Sequence, residues 1–171
     1  MKYEYQFVDT RNIFMGQIQT ETAYYQPNPD ATIPFLENAA LSDPVFTPSP
    51  NYPIVPNVTV NSSSVPPNTA SGYGLRILRS NNILGYGVGL YSFFDNYSTN
   101  CSAIGAGAVC QKRILSIEGD RNSYDISLYN LNTAGATQQI TRDGVDLASN
   151  VDNNSTFVDT INVFRIDGFG L

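Results

Sequence analysis

The sequence predicts an all-β fold, and three observations carry that expectation. Only 14% of the residues are charged, while glycine, proline, asparagine, serine, threonine and tyrosine are plentiful, a mixture that favours short strands and frequent turns over helices. No stretch carries a sustained apolar stripe at helical spacing. Apolar residues instead alternate in short runs opened by turn residues. At 171 residues the chain is expected to form one domain, residues 1–171, large enough to bury a real core.

Taken in order, residues 3–8 alternate, with Tyr3, Tyr5 and Phe7 on one face, as a half-buried strand does. A turn through Asp9, Thr10, Arg11 and Asn12 leads to a second strand over Ile13–Ile18. Its first residues are apolar in succession, which predicts cover on both faces there. All ten prolines fall between Pro27 and Pro67, and proline supplies no ladder donor. Residues 27–67 therefore read as an extended surface excursion with a short turn at 36–40, or as a disordered linker. Strands resume over Gly74–Leu78 and Ile83–Tyr91. Alternation puts Gly85, Gly87 and Gly89 on one face of the latter, where they accommodate a bulky neighbouring strand or let a flat ring approach. Further strands are expected at Ile114–Gly119, Tyr124–Leu131, Gln139–Thr141, Val145–Leu147 and Phe157–Ile166. Asp143-Gly144 signals a hairpin turn within this C-terminal, antiparallel part. A weak echo links Asn12-Ile13, Asn82-Ile83 and Ile161-Asn162-Val163. Strands opened by turn asparagines at intervals are what stacked β-coils look like, each rung burying its face against the next.

Composition also limits the chemistry. There is no histidine, which excludes a Ser-His-Asp or Cys-His nucleophile and every His-ligated metal. Two cysteines are too few for a structural zinc site, so neither metal nor cofactor is expected, and proton chemistry must use carboxylates. A net charge of −6 with no basic cluster argues against nucleic acid and against anionic membrane surfaces. A neutral, hydroxyl-rich partner suits this surface better. Cys101 and Cys110 bracket a small-residue loop, read as a disulfide or as two separate buried thiols. With the Asn-x-Ser/Thr sequons at Asn57, Asn61, Asn96, Asn100, Asn153 and Asn154, they point to an oxidising, extracellular setting. Met1-Lys2 leads straight into a strand without a signal peptide, and no stretch has membrane-spanning length. This combination is expected of the end of a longer secreted chain.

One stretch concentrates candidate chemistry: Gly16-Gln17-Ile18-Gln19-Thr20-Glu21, continuing through Tyr24 and Tyr25 to Pro29. If Ile18 faces a core, Gln17, Gln19 and Glu21 share the opposite face. A carboxyl gives or takes a proton, amides bond hydroxyls, and aromatic rings stack on the apolar face of a pyranose. The same residues also fit a solvated polar strand face followed by a loop.

The run Asn12–Thr22 with Tyr24-Tyr25-Gln26-Pro27-Asn28-Pro29 resembles fungal glycoside hydrolase family 55. So do Tyr5-Gln6-Phe7, Gly74-Leu75-Arg76-Ile77, and Gly87–Tyr97 with Cys101 and Cys110, so that the resemblance spans nearly the whole chain. It implies an exo-β-1,3-glucanase built from right-handed parallel β-helices, of which this chain would be a C-terminal, incomplete stack. The family inverts the anomeric centre, and its general acid matches Glu21. Gln17, Gln19, Tyr24 and Tyr25 would then shape the β-1,3-glucan site. An inverting site needs a second group roughly 6.5–9.5 Å away across the sugar. The family's other glutamate lies in a Glu-His-His segment ahead of the strand matching Tyr3–Phe7, and this chain has no counterpart. Glu4 falls at a variable strand position. The resemblance thus implies half an active site, inactive alone and completed by an N-terminal β-helix portion. A non-catalytic β-glucan-binding or structural fragment is the alternative. An unpaired first rung would favour docking onto another chain.

Overall fold

The computed structural model describes residues 3–21, 34–36, 38–43, 72–95, 97–103, 110–153 and 158–168. Its strands are β1 (Tyr3–Val8), β2 (Arg11–Gln19), β3 (Tyr73–Leu78), β4 (Asn81–Tyr91), β5 (Gln111–Glu118), β6 (Tyr124–Ala134), β7 (Ala136–Arg142), β8 (Val145–Ser149) and β9 (Asp159–Ile166). Among the described residues there is no α-helix, only short 3₁₀ turns, and hence none long and apolar enough to cross a membrane.

Consecutive strands go to different sheets. The first sheet has the order β1-β3-β5-β7-β8 and the second β2-β4-β6-β9. Every pairing among β1 to β7 is parallel, so each strand pair forms a rung laid on the one before. Two antiparallel strands finish the stack: β9 on β6, and β8 on β7 through the Asp143-Gly144 turn, where both residues have positive φ.

Stacking in register turns alternation into columns. Tyr5, Leu75, Leu115 and Ile140 are successive partners, as are Phe7, Ile77 and Ile117. Opposite them run Ile13, Ile83, Ile126 and Ile166, then Ile18, Val88, Leu131 and Ile161. Leu75, Ile77, Leu115, Ile117, Ile126, Leu131 and Ile140 are wholly buried. At about 1.5–3 kcal/mol for each side chain of this kind, these columns are the main force holding the coil together.

Positive-φ residues also stack. Asn12, Asn82 and Asp125 form one such column, with Asn82 Nδ2 donating to Asn12 Oδ1 at 2.6 Å. The third member of the asparagine echo is therefore Asp125, while Asn162 lies in antiparallel β9. Gln17, Gly87 and Asn130 form a second column. Because φ is +65° at Gly87, alternation breaks there. Gly85 packs inward against Leu128, Val88 and Met15, while Gly89 is in register with exposed Gln19. The three glycines do not share a face. Nor is the start of β2 covered on both sides: Met15 is buried, but Phe14 is 69% exposed.

The links from one rung to the next shorten along the stack. They comprise residues 20–72, then 92–110, then Gly135 alone. The second contains the Cys101–Cys110 disulfide. Most of the proline-rich excursion lies outside the described residues, but part of it returns to the first sheet. Asn38 caps the 3₁₀ turn Ala39–Leu41, close to the turn expected at 36–40. From there Leu41 O accepts from Gln6 Nε2, Asp43 Oδ1 accepts from the Tyr3 hydroxyl, and Ser42 O accepts from Arg76. Arg76, 5% exposed, also holds both oxygens of Glu118 at 2.9 and 2.6 Å.

Candidate functional site

The end of β2 is fixed by contacts that its own strand does not supply. The positive φ of Gln17 (52°) resets the alternation, so that Met15 and Ile18 both pack toward the core. Gln17, Gln19 and Glu21 are all exposed. Among the described residues the side-chain amides of Gln17 and Gln19 have no hydrogen-bond partner.

Thr20, only 1% exposed, clamps the chain just before Glu21. Its N–H donates to Gly89 O at 2.9 Å, extending the ladder one residue past β2. Its hydroxyl accepts from the Tyr91 N–H at 2.8 Å and donates to Tyr91 O at 3.2 Å. Gly74 leaves room for this side chain, since a Cβ there would lie 3.3 Å from it. On the other side, the Glu21 N–H donates to Glu4 Oε2 at 3.3 Å. The backbone at Glu21 is thus held from two strands while the residue itself stands in solvent. Tyr5 adds a bond from its hydroxyl to Gln19 O at 3.3 Å.

Aromatic surface comes from the end of β4 and the residues just after it. A Cβ on Gly89 would meet the Tyr91 phenol oxygen at 3.0 Å and Cζ at 3.1 Å, so the phenol end of Tyr91 rests on bare backbone beside Gln19. The Phe93 ring centroid is 5.6 Å from that of Tyr91. Together these groups offer an exposed carboxylate on a fixed backbone, unpartnered amides, and ring surface. Such a set can exchange a proton and bond hydroxyls. No group of three or more Asp, Glu or Cys residues able to hold a metal occurs among the described residues.

Gln17, Gln19 and Glu21 all stand exposed at the end of β2 and just beyond it. Tyr24 and Tyr25 lie outside the described residues. Thr20, Tyr91 and the contact with Glu4 are additions. Thr20 gives no local signal, because its partner is 71 residues away. Tyr91 was signalled only by the glycine at 89, which invites a ring onto the backbone.

No protein-family model matches the chain. Among curated proteins, "Glucan 1,3-beta-glucosidase" of Cochliobolus carbonum is 40% identical over 162 residues, covering 93% of this chain and 18% of that protein. "Probable glucan endo-1,3-beta-glucosidase" of Arthroderma benhamiae is 33% identical over 163 residues, 95% of this chain and 16% of its own length. "Non-secreted LysM effector LysM15" of Penicillium expansum is 29% identical over 159 residues, 93% of this chain and 9% of its own. The chain therefore spans less than a fifth of the length of each.

Proposed function

This chain is homologous to part of a fungal glucan 1,3-beta-glucosidase and of a probable glucan endo-1,3-beta-glucosidase, and from that premise we propose that it is the C-terminal portion of an inverting β-1,3-glucan exo-hydrolase in which Glu21 is the general acid. The observation that carries the proposal is the fixed, outward-facing backbone at Glu21 beside two unpartnered amides. In this reading Glu21 protonates the leaving glycosidic oxygen as the bond to the anomeric carbon breaks. Water attacks from the opposite face, activated by a group roughly 6.5–9.5 Å from the acid. That group is assigned to a part of the relatives that this chain does not span, while Glu4 accepts from the Glu21 backbone amide and serves to place it. Gln17 and Gln19 bond sugar hydroxyls, with Tyr24 and Tyr25 contributing ring surface from the segment that follows. The coil is taken as a right-handed parallel β-helix, the hand that parallel crossovers adopt almost without exception. The Cys101–Cys110 disulfide supports a secreted parent.

The test is a chimera in which this chain replaces the matching 162-residue stretch of the Cochliobolus carbonum relative. The chimera should release glucose from β-1,3-linked oligosaccharides, and Glu21→Gln should lower that rate by about 10³, within the usual range for general acid catalysis. A Glu21→Gln chimera that kept the rate would remove Glu21 from the mechanism. The Penicillium relative, named an effector rather than a hydrolase, favours a second reading: a non-catalytic β-glucan-binding module. It predicts glucan affinity in the chain together with a catalytically silent chimera.

A further inference from the structure

We infer that the outer face of the second sheet, running away from Glu21 across the rungs, is an uncharged track that binds the β-1,3-glucan chain beyond the bond being cut; this rests on the glucan-hydrolase reading above. Two register columns define it. Gln17, Gly87 and Asn130 each sit between the paired columns Gly16–Tyr86–Tyr129 and Ile18–Val88–Leu131 and so form one, and Gln19, Gly89 and Asn132 pair in the other. They cross three strands, about 10 Å at the usual strand spacing. Neither column holds a charged side chain.

The amides on the far rung are organised. Asn132 Nδ2 donates to Asn130 O at 3.1 Å and to Asn130 Oδ1 at 3.2 Å. Asn132 Oδ1 accepts from the Thr160 hydroxyl at 2.9 Å. This anchoring leaves the Asn130 Nδ2 without a partner among the described residues, on an exposed residue. The near rung offers the unpartnered amides of Gln17 and Gln19, and on the middle rung the Gln17 side chain lies against Gly87 and the Tyr91 phenol against Gly89. Rings flank the track on both sides. Tyr91 and Phe93 lie on the side toward Glu21, and Tyr86 and Tyr129 on the other, their centroids 4.8 Å apart and their planes within 10°. The latter pair cover each other's faces, so they wall the track with ring edges.

Chemistry then selects the occupant. Neutral amides both donate to and accept from hydroxyls, whereas a phosphorylated or acidic polymer would call for fixed cations. The track is continuous with the site at Glu21, so a chain bound there extends along it. A neutral glucan of several residues is the ligand that uses both rungs at once.

Asn130 has a φ of 54° and Gln17 of 52°, so glycine keeps the backbone of each, as Gly87 already does between them. The experiment titrates the purified chain with β-1,3-linked glucose hexasaccharide and disaccharide, before and after the double change Gln17→Gly with Asn130→Gly. Calorimetry reads affinity, and a thermal melt verifies folding. If the double variant melts early, Asn130→Gly alone is used. The parent should bind the hexasaccharide more tightly than the disaccharide. The double variant should lose about tenfold for the hexasaccharide, two neutral hydrogen bonds' worth, and about threefold for the disaccharide, which reaches Gln17 at the Glu21 site but not Asn130. Equal hexasaccharide affinity in parent and variant would overturn the track and leave the role of Glu21 standing. Absence of parent binding at millimolar hexasaccharide would overturn it as well. A Glu21→Gln chimera that kept its rate would instead sink the hydrolase reading, whatever the titrations gave.

Discussion

At the scale of residues, Thr20 continues a ladder that its strand has left. One hydroxyl satisfies both backbone groups of Tyr91, so removing it strands a buried N–H. Thr20→Val, which keeps the shape, should cost roughly 1–3 kcal/mol in urea unfolding, while Thr20→Ser should stay near the parent. Asp159 makes the opposite kind of statement. It is 8% exposed, and burial pushes its carboxyl above the usual carboxylate range. The folded state then holds this proton more tightly than the unfolded state, so its contribution to stability falls as pH rises from the ordinary Asp value through the raised one. Asp159→Asn should therefore raise the melting temperature at neutral pH, and the gain should vanish in acid below the carboxylate range. Equal gains at both pH values would contradict this. Neither residue was legible in the sequence, because Thr20 reads as a strand end and Asp159 as a surface acid. Burial in a coil is decided by what is stacked above and below, tens of residues away. That Gln17, Gln19 and Glu21 stand exposed was legible from polarity beside Ile18, while the positive φ of Gln17 was not.

At the scale of elements, the strands were plain wherever apolar alternation ran unbroken, as in β1 and β3. Errors arose where a positive φ shifted the phase. Gln17 carries no sign that it will turn left-handed, and Gly87 hid its turn among other glycines. The apolar succession at Ile13-Phe14-Met15 suggested two covered faces, yet Phe14 joins an exposed ring group with Tyr86, their centroids 6.2 Å apart. The tightest link between rungs, Gly135, combines a φ of +76° with a hypothetical Cβ only 1.7 Å from Ser92 O. Backbone strain and overpacking each run to roughly 1–3 kcal/mol. Gly135→Ala should accordingly lower stability by about 3 kcal/mol or more, read as a lowered urea midpoint. A loss below about 0.5 kcal/mol, the level of an ordinary surface substitution, would mean that this link relaxes freely.

At the scale of the whole molecule, parallel sheets, stacked columns and antiparallel closing strands make one continuous account of why an asparagine- and glycine-rich sequence forms a coil. The all-β class followed from composition, while the pairing order did not, because parallel partners lie far apart in sequence and leave only the faint asparagine echo. The chain alone should release no glucose from a β-1,3-glucan, since the group that activates water is expected elsewhere. The central claim, that Glu21 supplies the leaving-group proton, is tested most directly by changing the need for that proton. In the chimera with the Cochliobolus carbonum relative, Glu21→Gln should be assayed on a β-1,3-linked oligosaccharide and on a glucoside whose dinitrophenolate leaving group departs without protonation. The account predicts a rate loss of about 10³ on the oligosaccharide and little loss on the activated glucoside. Equal losses on both substrates would contradict it and give Glu21 a role in binding or structure instead.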